Sequence, residues 1–189
     1  MYQINIFPNK KLCDISPALY GVFFEDINRS GDGGLYAEML INRAFDDGVI
    51  PEGCTYNADS KTITSPTGWV GNFNCSETEG VYGWTVSGNA QMSLISKGTL
   101  NSARKRALNV NFNGGMIVNH GFKGISVKAG CSYRFYMFAK SERTVQITVS
   151  IMSANGEVYA QQPLTVKGDY TKYECMFDSA HDDNNAVLT

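Results

Sequence analysis

Charge, histidine and long apolar runs are all scarce in this sequence. Charged residues make up 18% of its 189 positions, against roughly a quarter in an average domain. The 16 basic side chains nearly balance the 18 acidic ones, leaving a formal net charge of −2. Such a balance speaks against a nucleic-acid partner, which would need a clustered basic face. No apolar stretch approaches the about 20 residues of a membrane-spanning helix, so no membrane partner is expected. The opening MYQINIFPNK lacks the apolar core of a signal peptide. His120 and His181 have no partners at ligand or triad spacing. The five cysteines (Cys13, Cys54, Cys75, Cys131, Cys175) are odd in number and contain no CxxC. That argues against a zinc site and a full disulfide framework. Free, mostly buried thiols are expected, which points to a reducing, cytoplasmic compartment. An extracellular one stays open where a signal peptide has been removed. No metal and no organic cofactor are expected.

What is present is 43% hydrophobic residues, 12% aromatics and 19 glycines, a composition that suits a soluble, turn-rich, mainly β domain. The character changes near residue 48. Residues 3–7, QINIF, read as a short strand, and LYGVFF after Ser16-Pro17 reads as a strand buried on both faces. A polar loop follows, and then LYAEMLINRAF, where Leu35, Tyr36, Met39, Leu40 and Ala44 recur at helical spacing. Strand, loop and amphipathic helix make one β/α unit, which cannot bury its own faces.

Residues 49–82 read as a loop-rich connector. Beyond Gly83-Trp84 the period becomes two, with strands expected at 91–96, 106–112, 124–128, 132–139, 144–152, 157–160 and 170–177. Val145, Ile147, Val149 and Ile151 alternate with Gln146, Thr148 and Ser150, so one face is apolar and the other wet. Phe135 is expected in the same core. Asn155-Gly156 between two such runs signals a hairpin. Several short strands at this spacing predict a jelly-roll-like β-sandwich over 83–189. NNAVLT reads as an opening strand, so the natural polypeptide is expected to continue past Thr189.

Glu25 and Asp26 fall at the carboxyl end of the buried strand, where β/α folds collect their ligand contacts. The segment LYGVFFEDINRSGDGGLYAEMLINRAF resembles the amino-terminal motif of the α-L-arabinofuranosidases of glycoside hydrolase family 51. The resemblance covers residues 15–47: Gly-x-Phe-Phe-Glu, then Gly-Gly-Leu-Tyr-Ala-Glu and Asn-Arg-x-Phe. It implies that residues 1–48 hold the first strand and helix of a (β/α)8 barrel, an incomplete one here. It also implies that Glu25 binds arabinofuranose. Gly83-Trp84-Thr85-Val86-Ser87-Gly88, Gly121-Phe122-Lys123-Gly124-Ile125 and Gly130-Cys131-Ser132-Tyr133 resemble the carbohydrate-binding-module-like domain inserted after this motif in one branch of the family. The implied activity is retaining removal of terminal arabinofuranosyl residues from plant polysaccharides or oligosaccharides. Arabinofuranose-containing glycans are the implied partners, with homo-oligomerisation of the full-length enzyme left open. A retaining glycosidase needs a carboxylate pair about 5–5.5 Å apart. The family's acid/base follows an asparagine, and this chain has no Asn-Glu dipeptide. Both catalytic carboxylates are therefore expected beyond Thr189, and the chain alone is expected to be inactive. The alternatives are a non-catalytic carbohydrate-binding module and a structural insert.

Trp69, Tyr82 and Trp84 are candidates for stacking on sugar rings. Core or loop packing is the competing role, favoured for Trp84 and evenly matched for Trp69. Asp178, Asp182, Asp183 and Asn184 offer oxygen ligands for calcium but lack EF-hand spacing, so a solvated turn is preferred. Asn113-Gly114-Gly115 lacks the strand-to-helix setting of a phosphate loop and reads as a turn.

Overall fold

The computed structural model describes residues 37–189 together with Lys11 and Asp14. The expected strand at 3–7, the LYGVFF strand, Cys13 and Glu25 lie outside the described residues. Among those described there is no helix; the chain forms antiparallel sheets, consistent with a β-sandwich.

Three short strands, β1 (Thr55–Asn57), β2 (Thr62–Thr64) and β3 (Val70–Asn72), make a small sheet in that order. They lie within the stretch expected to be a loop-rich connector. The main sheet holds β4 (Trp84–Ile95), β5 (Ala107–Asn119), β6 (Ile125–Val127), β7 (Ser132–Met152), β8 (Val158–Asp178) and β9 (Asp183–Leu188). Its order is β4-β5-β9-β7-β8, with β6 pairing β9. Two long hairpins thus bracket β9. Its carboxyl end touches β5 through the single pair Asn119–Leu188 and β7 through Ile151–Leu188 and Met152–Val187. Ser150 and Thr189 then exchange both main-chain hydrogen bonds, at 2.8 and 2.9 Å.

The period-two reading of 145–151 holds in direction. Val149 and Ile151 join Ile125, Val127, Phe177, Ala186 and Leu188 in the core, with Phe135 packed against it. Val145 and Ile147 share that face but are only half-buried. The Asn155-Gly156 turn closes the β7–β8 hairpin, where Gly156 N donates to Ser153 O and Ser153 N to Glu157 O. Just before β6, Gly124 (φ +90°) lies where a Cβ would meet Asn184 O at 2.3 Å and Asn185 Cα at 2.7 Å. Only glycine admits that approach to β9.

One expectation needs correction. Residues 37–45, the described part of the helix expected over 35–45, form bends and turns. Asn42 and Phe45 take left-handed φ angles of 51° and 61°. The buried Asn119 side chain holds both main-chain groups of Ile41: Ile41 N donates to Oδ1 at 3.3 Å and Nδ2 donates to Ile41 O at 2.9 Å. Long-range bonds have replaced the helical ladder that local spacing suggested. A second expectation also shifts. The four described cysteines are free, but only Cys75 is buried and Cys131 is exposed.

Candidate functional site

The aromatic residues singled out by sequence fall into two separate places. Tyr82 and Trp84 belong to the anchor of the 38–48 turn. Asn42 Nδ2 donates to Tyr82 O at 2.8 Å, and the Trp84 indole N–H donates to Asn42 O at 3.2 Å. The Trp84 ring packs on Phe45 with centroids 5.7 Å apart. Both polar and apolar parts of Trp84 are therefore engaged inside the fold. Trp69 stands on the small sheet instead. Its indole folds over Gly71, where a Cβ would meet the ring at 2.2 Å. At 63% exposure it leaves ring surface free for a ligand.

The sequence reading missed a polar cleft on the β4–β5 ribbon. Gly88, Asn89, Ala90, Gln91, Asn111 and Asn113 line a hollow of about 470 Å³. Gln91 pairs with Asn111 across the strands, so their side chains share a face. The register slips between Gly88 and Ala90, where Asn113 and Gly114 of β5 stand opposite the single residue Asn89 of β4. Gly115 (φ +147°) lets the strands close there, since a Cβ would come 2.4 Å from Ser87 O. A bulge of this kind re-aims side chains. Each amide offers donors and an acceptor, matching sugar hydroxyls that do both. No charged side chain lines the hollow, which suits a neutral ligand. The signal was present in the alternation Asn109, Asn111, Asn113.

A second missed feature is the outward face of β7–β8, where Tyr136 (42%) and Phe138 (48%) are exposed. Arg134 grips Glu174 with both nitrogens, Nε to Oε1 at 2.7 Å and Nη2 to Oε2 at 2.9 Å, and Lys172 adds a bond to Oε2. These hydrogen bonds, Arg134's first, pull the Glu174 carboxyl down to about 2. Elsewhere, Tyr56 donates to Glu79 at 2.5 Å, which pushes the phenol up to about 12 and the carboxyl below its ordinary value.

The acidic run near 180 spends its oxygens within the fold. Asp182 Oδ1 accepts from Ala129 N, Asp183 from Asn185 N and the Tyr159 hydroxyl, and Asn184 Oδ1 from the Ser126 hydroxyl. Asp178 accepts from Ser132. Among the described residues no group of three metal-ligating side chains comes together. His181 stacks on Tyr159 at 4.3 Å, and His120 Nε2 lies 3.3 Å from Thr85 Oγ1.

The profile of a family described as a carbohydrate binding domain matches residues 37–189. The extracellular exo-α-L-arabinofuranosidase of Streptomyces chartreusis is 30% identical over 99% of this chain, which spans 20% of that protein. The α-L-arabinofuranosidase 2 of Arabidopsis thaliana is 24% identical over 92% of the chain, which spans 24% of it. The solved structure of an arabinose-bound MgGH51 α-L-arabinofuranosidase matches 89% of the chain with a TM-score of 0.63 and 26% identity, over 25% of its own length. These relatives are glycoside hydrolases by name, and the chain spans a quarter or less of each. The Streptomyces protein is extracellular by name. Nothing in these relatives supports the cytoplasmic reading drawn from the thiols.

Proposed function

The chain belongs to the carbohydrate-binding-domain family through residues 37–189, and from that membership we propose that it is the amino-terminal portion of a retaining α-L-arabinofuranosidase whose β domain holds glycan. The intact enzyme removes terminal arabinofuranosyl residues from plant polysaccharides or oligosaccharides outside the cell. Glu25 holds the arabinofuranose by its hydroxyls, and the acid/base and nucleophile lie outside these residues. Trp69 offers a stacking surface, while Tyr82 and Trp84 brace the 38–48 turn.

The observation that carries the binding role is the uncharged amide cleft. Its four amide side chains have no hydrogen-bond partner among the described residues, so their full capacity is open to a neutral sugar. Titration calorimetry of the chain with a neutral arabino-oligosaccharide tests it. Each of Gln91→Ala and Asn111→Ala should weaken binding about 3- to 10-fold, the worth of one or two net hydrogen bonds. Unchanged affinity in both variants would move the site elsewhere, and no binding by the parent chain would leave the domain a structural insert.

A further inference from the structure

Between Gly80 and Ser141 the sequence places eight of its 16 Lys and Arg residues and no Asp or Glu. The overall charge of −2 hides this segregation. Half of that positive charge sits in the β4–β5 loop, residues 96–106, where Lys97, Arg104 and Lys105 are exposed. Arg106 is the loop cation with an acidic partner, Asp46 at 3.4 Å. The loop is tied to β7, because Lys140 Nζ donates to Gly98 O at 2.6 Å. Lys140 also lies 4.7 Å over the Tyr170 ring.

On the outward face of β7, residues 134, 136, 138 and 140 lie in one row by the period of two. Phe138 is half-exposed, with Tyr136 and Lys140 beside it along the strand and Lys172 directly across. The Tyr136 ring already carries Lys172 at 4.9 Å and Arg134 at 5.8 Å. Phe138 is the open platform of the row. Glu174 can offset one of the three cations on this face, so positive charge remains in surplus.

We propose that Phe138 and the cations around it, with loop 96–106, form a second glycan surface for a chain bearing carboxylates, of the uronate class. The inference rests on the carbohydrate-binding reading above but uses a face and a chemistry separate from the amide cleft. A flat ring stacks on the apolar C–H face of a pyranose. The cations then meet the carboxylate that such a sugar carries on its rim, which a neutral sugar lacks. Duplex nucleic acid would also answer the charge, but its stacked bases leave no free sugar face for a single phenyl ring to cover.

The test is binding of the 189-residue chain to an oligogalacturonate, to its methyl-esterified counterpart and to a neutral arabino-oligosaccharide. The oligogalacturonate should bind at least about tenfold more tightly than the ester, and less tightly as salt screens the charges. Lys97→Gln with Lys105→Gln should reduce that preference, and Phe138→Leu should weaken oligogalacturonate binding about tenfold with an unchanged melting temperature. Phe138→Tyr should restore it, which keeps the outcome readable should the leucine variant fold poorly. Gln91→Ala and Asn111→Ala should leave it untouched. Neutral-sugar binding without uronate preference overturns this inference and spares the proposed function; the reverse result sinks the cleft and keeps this surface. Equal binding to duplex DNA, indifference to Phe138, or concentration-dependent dimerisation through this face would each overturn it.

Discussion

Asn119 shows how one side chain can replace a helix. It is fully buried, and its amide serves Ile41 N, Ile41 O and Gly121 N, the last at 2.9 Å. Removing it strands main-chain groups that cannot turn to water, at about 1–3 kcal/mol each. Asn119→Ala should therefore lower the melting temperature by roughly 10 °C, since 1 kcal/mol moves a domain of this size by about 2–4 °C. Thermal denaturation checks this, and a shift under about 2 °C would mean the turn is held by other contacts. Glu174 makes a pH-dependent counterpart. Its folded carboxyl sits near 2, below its ordinary 4.5. A depressed carboxyl contributes stability that is whole above the unfolded pKa and vanishes as pH falls through the folded one. The gap in melting temperature between the parent and Glu174→Gln should thus stay constant down to about pH 5 and close towards about pH 2. A gap that is flat across that range would mean the Arg134 fork contributes nothing.

At the scale of strands, the sequence period tells faces apart better than it tells depth. Val149 and Ile151 are both 5% exposed, while Ile147 on the same face is half-buried, because β9 covers only the far end of β7. Ile151→Ala should cost about 2–5 kcal/mol by chemical denaturation, and Ile147→Ala clearly less. Equal losses would put the core centre nearer residue 147. The four strands expected at 132–139, 144–152, 157–160 and 170–177 are the two arms of one hairpin. Their continuity was not legible because register slips between Ala139 and Val145 break the alternation, and Pro163 and Gly168 read as breakers. The three-residue strands β1–β3 were also invisible, being too short to show a period. The amide cleft was half legible. Asn109, Asn111 and Asn113 alternate in plain view, but only strand pairing brings Gln91 beside them. Sequence favoured packing for Trp84 and left Trp69 evenly matched, and the fold separates an open ring from one spent on Asn42 and Phe45.

Across the whole molecule, the division of labour in the proposed function rests on where carboxylates can do chemistry. A retaining glycosidase needs one carboxyl held protonated near neutrality and a second, ionised one about 5–5.5 Å away. The two described carboxyls with shifted titration, Glu79 and Glu174, are both pushed down, away from an acid's role, by hydrogen bonds from Tyr56 and from Arg134. Glu38 pairs with Arg43 at 3.2 Å and Asp46 with Arg106 at 3.4 Å. Amides, aromatics and surplus cations are groups that hold sugars and do not cleave them. The 189-residue chain should accordingly hydrolyse no aryl α-L-arabinofuranoside above background, while still binding arabino-oligosaccharide. In a longer polypeptide carrying the catalytic pair, Glu25→Ala should lower kcat/KM by roughly one to three decades through lost hydroxyl contacts. In the proposed role Glu25 transfers no proton and forms no glycosyl bond, so azide should not rescue that loss. Clean turnover by this chain alone, abolished by Glu25→Gln, would place the reaction within these residues and overturn the assignment of Glu25 to substrate binding.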